Sequence, residues 1–257
     1  MILKVKKTWE KNSLGFDSNL FIYQDKTMFN YSVDTILLGN FCSINSKTKS
    51  ILEIGTNNAA LAIFVSERNK NIKIDAIELQ KKAIHLANFN VIMNSKEEQI
   101  SIIHANFNSF WKKHNKNQAK KYDSIICNPP FYQIGKRQLK NVSKEKLIAT
   151  YDLKLNFDQL IKGASKIIKQ KGYFSVVIPT ERSIDFFTIL RKYDFEPKKV
   201  QFIHPRINQK SNLVLIESRY KTGWGTNFLE NIYLHPEDEQ NHEYLPNVKS
   251  LYKPIKF

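Results

Sequence analysis

A short apolar strand that ends at two prolines constrains the fold of this chain more than any other feature. The apolar residues 125–127 are followed at once by Asn128, Pro129 and Pro130. An apolar run of this length is typical of a buried strand, and a Pro-Pro pair ends it. Open parallel sheets bind their ligands at the carboxyl ends of the strands, where strands give way to loops. The sequence therefore predicts a functional site at Asn128.

The residues around Asn128 offer hydrogen-bond acceptors beside a flat apolar ring. The Asn128 side chain carries one carbonyl acceptor and two amide donors. Neither proline can donate a backbone hydrogen bond, so the carbonyls of Asn128 and Pro129 are free to accept from a ligand, with Phe131 as a stacking surface. This combination suits a planar group with an amino function, such as a nucleobase. The alternative is a plain turn with Phe131 in the core.

A second strand leads into a loop of the kind that binds nucleotide cofactors. Glu53 interrupts an otherwise apolar strand, and Gly55 starts a turn into an apolar helix. Asn57 and Ala59 stand where such loops usually carry glycine. Because Asn tolerates a left-handed backbone better than other non-glycine residues, Asn57 and Asn58 are predicted to preserve the turn.

The next two strands each end near a polar residue that could contact a cofactor. Glu78 follows the apolar strand 72–77, roughly twenty residues beyond the glycine loop, where an acid usually binds two ribose hydroxyls. The alternative is a surface carboxylate. Asn106 follows the next strand, where folds of this kind often place a polar contact to an adenine ring, and Phe107 could pack against that ring.

Strands and helices alternate along most of the chain, which ends in a hairpin. A crossover helix is predicted near residues 81–93, and strands 199–204 and 212–217 are joined by a short turn. This alternation predicts an α/β fold with a mostly parallel, doubly wound sheet and an antiparallel carboxyl-terminal hairpin. We expect residues 1–48 to form an amino-terminal extension or lid, and residues 49–257 to form the main domain.

Positive charge dominates the chain. Its 257 residues carry a formal net charge of +16, with a pI of about 9.6. Such an excess predicts a polyanionic partner, although a coding bias toward lysine would produce it too. Lys136, Arg137 and Lys140 follow the Asn128 site closely, where they would contact phosphates; a solvated loop is the alternative. The stretch 111–121 is rich in Lys and Asn and is expected to end in a loop.

The sequence argues against membrane, metal and disulfide functions. It contains no apolar run near the ~20 residues that span a bilayer, and its first residues do not resemble a signal peptide. The two cysteines, Cys42 and Cys127, do not have a metal-ligand spacing. We therefore expect a cytoplasmic protein with neither a disulfide framework nor a metal.

Three stretches carry a resemblance to a known family. They are residues 31–39, in which Asp34 is expected to cap a short helix, residues 53–55, and residues 128–133 with Gly135. They resemble the class I S-adenosylmethionine-dependent methyltransferases, which have a Rossmann-like sheet. More narrowly, they resemble the bacterial tRNA(Val)-type adenine-N6 methyltransferases, which modify an adenine beside the anticodon. The strand order fits as well, so the resemblance covers nearly the whole chain.

The resemblance implies S-adenosyl-L-methionine as cofactor and the anticodon stem-loop of a tRNA as partner, with the protein acting as a monomer. The catalytic residues that it implies are Asn128, Pro129, Pro130 and Phe131. The cofactor-binding residues that it implies are Asp34, Thr35, Glu53, Gly55, Asn57, Glu78, Leu79, Asn106, Phe107 and Asn128. The RNA-binding residues that it implies are Tyr132, Lys136, Arg137, Lys140 and Arg206. The chain departs from the family pattern at Asn57 and Ala59, which replace glycines, and at Asn106, which replaces an acid.

The residues leave other functions open. An rRNA guanine-N2 methyltransferase can carry the same Asn-Pro-Pro-Phe motif, whereas glutamine methylation of a protein fits the basic loops less well. From a different class, the chain could be a non-catalytic RNA-binding protein with a decayed cofactor site, because glycines of the loop are missing. The presence of Glu53, Glu78 and Asn128 argues against decay.

Overall fold

A computed structural model describes residues 5–15, 19–28, 30–129 and 155–256. Within these ranges, a nine-stranded sheet carries helices on both faces, and a two-stranded hairpin stands apart from it. The strands are β1 (Trp9–Ser13), β2 (Phe21–Asp25), β3 (Ser50–Ile54), β4 (Lys73–Glu78), β5 (Ile100–His104), β6 (Tyr122–Cys127), β7 (Ile168–Pro179), β8 (Phe195–His204), β9 (Leu213–Tyr220), β10 (Asn227–Phe228) and β11 (Ile232–Tyr233). The helices are α1 (Val33–Phe41), α2 (Ala60–Ser66), α3 (Lys81–Met93), α4 (Phe107–Lys116), α5 (Phe157–Ile167), α6 (Ser183–Lys192) and α7 (Pro246–Ser250), with a 3-10 turn at Thr180–Arg182.

The strand order is that of a doubly wound α/β sheet. Its first strand along the chain, β3, lies in the interior of the sheet. The strands run in the order β10-β8-β9-β7-β6-β3-β4-β5, and β11 also pairs with β8. Strands β3, β4, β5, β6 and β7 are parallel, whereas β9 is antiparallel to both β7 and β8. The predicted fold class, a mostly parallel sheet with an antiparallel carboxyl-terminal hairpin, is confirmed.

Side chains of the central strands divide the core into two layers. Ile51 packs with α1, α2 and α3 on one face of the sheet, and Leu52 packs with α4, α5 and α6 on the other. Both residues are fully buried, as expected for a central strand of a parallel sheet. Helices α4 and α5 approach closely because Gly163 has no side chain. A Cβ at Gly163 would lie 2.5 Å from the Phe107 ring.

The register of the sheet aligns the ends of three neighbouring strands. The last residue of β3, Ile54, pairs with Ile77 near the end of β4 and with Cys127 at the end of β6. Gly55, Glu78 and Asn128 lie at or just after these ends. Because paired strands are ~4.8 Å apart, the three residues share one edge of the sheet, which we call the carboxyl edge. The opposite edge, where β3, β4, β6 and β7 begin, is the amino edge.

Helix α1 differs from its prediction. It begins at Val33, with Ser32 at the N-cap position and no side-chain capping bond, and Asp34 lies in its first turn. The prediction that Asp34 caps this helix is therefore wrong. The domain boundary after residue 48 stays a prediction. No helix in the described ranges has both the length and the apolar character needed to cross a membrane.

Candidate active site

The backbone of the predicted cofactor loop passes through three left-handed residues. Gly55, Asn57 and Ala59 have φ angles of 76°, 49° and 65°, whereas Asn58 does not adopt a positive φ. The prediction that a left-handed asparagine preserves the turn is confirmed for Asn57 and not for Asn58. A left-handed alanine costs roughly 1–2 kcal/mol, so other contacts must hold the loop in this conformation.

Two buried side chains provide those contacts. Glu78 Oε2 accepts a hydrogen bond from the backbone N–H of Asn57 at 2.9 Å, and its Oε1 accepts from that of Gln80 at 2.7 Å. Burial raises the pKa of Glu78, although these N–H groups oppose the shift. On α3, Asn90 Nδ2 donates to the Asn58 carbonyl at 2.9 Å. Asn90 was not among the predicted site residues; a polar residue at a core-facing helical position was the signal that could have found it.

Glu53 lies beneath the loop rather than at the surface. The residue is 3% exposed, and its Oε2 accepts from Thr56 Oγ1 at 2.7 Å. Burial raises the pKa of Glu53 to about 7; the negative charge of Glu78 adds to this shift, and the Thr56 hydrogen bond opposes it. Glu53 therefore supports the turn, and its direct contact with a cofactor stays a prediction.

The contact between Asn128 and Asp34 orients the amide at the carboxyl edge. Asn128 directly follows β6, and its Nδ2 donates to Asp34 Oδ2 at 3.2 Å. Because an ionised carboxylate only accepts hydrogen bonds, the amide nitrogen, and not the oxygen, must face α1. Within the described residues, the Asn128 Oδ1 has no hydrogen-bond partner. It is left as an acceptor.

Asp34 is itself held by its neighbours. It is 5% exposed, and its Oδ1 accepts from the hydroxyl of Ser32 and from the backbone N–H of Thr35 at 3.0 Å. The carboxyl-terminal tail also lies close to it. Burial raises the pKa of Tyr252, and Tyr244 and the Asp34 carboxylate raise it further. Asp34 therefore presents a fixed acceptor to Asn128.

The two residues predicted to contact an adenine ring, Asn106 and Phe107, have different surroundings: Asn106 caps a helix, and Phe107 lies in the core. Asn106 Oδ1 caps α4 by accepting from two backbone N–H groups at 2.9 and 3.3 Å, so within the described residues only its amide nitrogen is left for a ligand. Phe107 is a core residue whose ring packs at Gly163. This packing contradicts the prediction that the ring lies against an adenine. The carbonyl of Leu79 is bonded to His104 Nε2 at 3.0 Å.

Arg206 requires a correction to the predicted RNA contacts. The residue is 5% exposed, and its guanidinium donates to the backbone carbonyls of Pro236, Asp238, Glu239 and Asn241. Arg206 thus ties the β8–β9 turn to the carboxyl-terminal tail. Because the residue is buried and both Nη1 and Nη2 are bonded to the tail, the structure contradicts the predicted contact of Arg206 with RNA.

Arg68 fixes the carboxyl-terminal end of α1, the helix that carries Asp34. Its Nη1 donates to the carbonyls of Gly39 at 2.6 Å and Cys42 at 2.7 Å, and its Nε donates to the Ile255 carbonyl at 3.1 Å. Sequence reasoning missed this residue, because a single arginine after an apolar helix gives no signal of burial.

Most of the remaining predicted residues lie outside the residues that the structure describes. Those outside the described ranges are Pro130, Phe131, Tyr132, Lys136, Arg137 and Lys140. Their catalytic and RNA-binding roles stay predictions. Pro129, which directly follows Asn128, is buried.

The carboxyl edge has space and polar groups for the implied cofactor. Among the described residues, a Cβ at Gly55 would meet no atom within 4 Å, so none of them fills the space in front of the loop there. Asn58 Nδ2 is buried without a partner among the described residues. Glu78 keeps lone pairs that can accept from two ribose hydroxyls. These features fit S-adenosyl-L-methionine. In the part of the chain that the structure describes, no group of three or more His, Cys, Asp or Glu residues could hold a metal ion.

Solved structures of methyltransferases share this fold. A predicted O-methyltransferase from Agrobacterium tumefaciens aligns with a TM-score of 0.67 and 16% identity, covering 87% of this chain and 97% of that chain. A SAM-dependent methyltransferase from the same organism aligns with a TM-score of 0.57 and 12% identity, covering 84% and 71%. Identities this low show the fold alone.

Sequence comparison shows the family. Residues 32–193 match the methyltransferase small domain. A tRNA1(Val) (adenine(37)-N6)-methyltransferase from Aliivibrio fischeri is 32% identical over 186 residues, covering 72% of this chain and 75% of the relative. A protein of the same name from Flavobacterium psychrophilum is 29% identical over 202 residues, covering 78% and 83%. The resemblance drawn from the sequence motifs is confirmed, and this chain belongs to the methyltransferase small domain family.

Proposed function

We propose that this enzyme transfers the methyl group of S-adenosyl-L-methionine to N6 of an adenine beside the anticodon of a tRNA. The relatives named tRNA1(Val) (adenine(37)-N6)-methyltransferase support this substrate. The observation that carries the proposal is the Asn128 amide, whose nitrogen donates to Asp34 and whose oxygen has no partner among the described residues. An adenine amino group has two N–H donors, which match an acceptor pair.

Asn128 and Pro129 are the catalytic residues of this proposal. When bound, S-adenosyl-L-methionine supplies an already activated methyl group. The adenine amino group is a poor nucleophile because its lone pair is delocalised into the ring. Hydrogen bonds from its two N–H groups to Asn128 Oδ1 and to the Pro129 carbonyl favour a pyramidal, more nucleophilic nitrogen. The same acceptors stabilise the positive charge that develops on this nitrogen during transfer.

Asp34 acts through Asn128 as a positioning residue. It binds the donor end of the amide, so that the acceptor end faces the substrate. After transfer, the nitrogen carries an acidic proton that is readily lost to solvent, so no general base with a tuned pKa is required. Alignment of the methyl group with the nitrogen accounts for much of the remaining acceleration.

The other residues of the carboxyl edge would hold the cofactor. In this assignment Glu78 accepts from the ribose hydroxyls, Gly55 permits close approach of the cofactor, and the amide nitrogen of Asn106 contacts the adenine ring. Phe131 would stack the target base, a contact worth about 1–3 kcal/mol in single-strand binders. We further propose that the enzyme acts in the cytoplasm, as a monomer, on the anticodon stem-loop.

Product analysis tests the proposed function. The protein is incubated with isotopically labelled S-adenosyl-L-methionine and unmodified transcripts of tRNA, and separately with rRNA, and the digested nucleosides are identified by mass spectrometry. We expect N6-methyladenosine from tRNA and no product from rRNA. Methylguanosine from rRNA would support a guanine-N2 methyltransferase instead, and tRNA binding without any transfer would support a decayed cofactor site. Either outcome would overturn the proposal.

A further inference from the structure

Two segments outside the predicted RNA-binding loop carry lysines and no acidic residue. They are residues 107–121, which form α4 and the loop after it, and residues 159–171, which form most of α5 and the start of β7. Their nine lysines are Lys112, Lys113, Lys116, Lys120, Lys121, Lys162, Lys166, Lys169 and Lys171. We call the surface that they form the lysine face.

Helix packing brings the two segments together. The absence of a side chain at Gly163 lets α5 lie against the rings of Phe107 and Trp111 on α4. The apolar residues of both helices pack in the core layer that contains Leu52. The lysines of these helices are therefore left at the surface. On α5, Lys162 and Lys166 are four residues apart and share one side of the helix.

The lysine face extends to the amino edge of the sheet. Lys121 precedes β6, whereas Lys169 and Lys171 lie at the start of β7, which pairs with β6 through Tyr122 and Ile168. Asn128 follows the other end of β6. At ~3.3 Å per residue, the six residues of β6 separate this edge from Asn128 by about 20 Å. Lys121, Lys169 and Lys171 therefore cannot contact the same part of a ligand as Asn128.

Little negative charge opposes these lysines within the described residues. Lys169 pairs with Asp123 at 2.5 Å, and the same carboxylate also accepts from two backbone N–H groups at Lys49 and Ser50. Lys162 lies near Asp158, whose main partner is Lys192, and the charge of Lys162 contributes to lowering the Asp158 pKa. The other seven lysines of the face form no salt bridge among the described residues. A concentration of unpaired like charge attracts polyanions.

We propose that the lysine face is a second RNA-binding site, which binds phosphate groups of the RNA backbone without reading its sequence. Lysine provides a mobile point charge that suits phosphate contact, and base recognition is not required for it. An anionic membrane fits less well, because interfacial helices insert exposed apolar residues, and Phe107 of α4 is instead buried in the core. That the RNA is a tRNA rests on the proposed function; that the face binds RNA phosphates does not.

The test compares two variants that each lose three positive charges, one on the lysine face and one on a distant part of the surface. The test variant combines Lys113→Gln, Lys116→Gln and Lys120→Gln. The matched control combines Lys70→Gln, Lys253→Gln and Lys256→Gln, which are also exposed and lie with the α1 and α2 side of the molecule. The dissociation constant for a full-length tRNA transcript is measured at several salt concentrations, after thermal unfolding has shown that both variants fold.

We expect the test variant to bind the transcript about tenfold more weakly near 0.1 M salt, with a log–log salt slope reduced by about 2–3. The control should differ little from the wild type. Equal changes in the two variants would overturn the proposal, as would lysine-dependent binding to vesicles of anionic phospholipid with unchanged tRNA binding. If tRNA binding depends on these lysines but no N6-methyladenosine is formed, the proposed function fails and this inference stands.

Discussion

The two edges of the sheet differ in how their polar groups are satisfied. At the carboxyl edge, Asp34 holds Asn128, and Glu78 holds the backbone of the cofactor loop. On the lysine face, which runs along α4 and α5 to the amino edge, most lysines have no acidic partner among the described residues. Fixed groups suit chemistry, which requires one geometry, whereas mobile charges suit backbone phosphates, which require only proximity. We infer that catalysis and much of the RNA affinity reside at opposite edges.

Asn128→Ala should have the largest effect. It should lower turnover and leave tRNA binding nearly unchanged. Loss of an acceptor that stabilises developing charge typically lowers turnover by on the order of 10²–10³. The tRNA dissociation constant should stay within about twofold, because the lysine face is untouched. Turnover and tRNA binding are measured on the same preparation. Unchanged turnover in a folded variant would remove Asn128 from the catalytic role.

Asp34→Asn should have the next largest effect, because it reverses the orientation of Asn128 without removing it. An amide nitrogen at residue 34 would face the Asn128 nitrogen, and the Asn128 amide would turn its donor end toward the substrate. A hydrogen bond to a charged group is worth about 1.5–3 kcal/mol, so we expect turnover to fall by about 10- to 100-fold.

The double variant separates this positioning role from a general structural role. If Asp34 acts through Asn128, adding Asp34→Asn to Asn128→Ala should lower turnover little further. Independent losses that multiply in the double variant would show that Asp34 acts by another route. Thermal unfolding of each single variant serves as the control for folding.

Glu53→Gln should have the smallest effect. It should change how the free energy of unfolding depends on pH. Burial raises the pKa of Glu53 in the folded protein from 4.5 to about 7, so the folded state retains a proton that the unfolded chain releases. Stability should therefore fall as the pH rises from 4.5 through 7, by on the order of 1–3 kcal/mol. In Glu53→Gln, which keeps an acceptor for Thr56 but cannot ionise, thermal unfolding should show a weaker decline. An identical pH profile would show that Glu53 is not the group responsible.

Much of the carboxyl edge could be predicted because its signals are local. Short apolar runs, ended by glycine or proline, place Gly55, Glu78 and Asn128 at strand ends, and parallel pairing brings strand ends to one edge. The left-handed turn at Asn57 followed from the tolerance of Asn for that conformation. These inferences needed only the order of residues along short stretches.

The contacts that complete the site could not be predicted because they join distant parts of the chain. Asp34 and Asn128 are 94 residues apart, and no local pattern relates them. The resemblance implied that Arg206 contacts RNA, yet the carboxyl-terminal tail folds over it and accepts hydrogen bonds from its guanidinium. The lysines of α4 were visible in the sequence, but only strand register and the close approach at Gly163 show that they share a face with those of α5.

The dependence of the single-turnover methylation rate on RNA concentration tests the separation of the two edges most directly. For the variant with Lys113→Gln, Lys116→Gln and Lys120→Gln, we expect a higher half-saturating tRNA concentration and a maximal rate close to that of the wild type. For Asn128→Ala, we expect a rate that stays 10²–10³ below the wild type at every RNA concentration. A lysine variant that remains slow at saturating tRNA, or an Asn128→Ala variant restored by additional tRNA, would contradict the account.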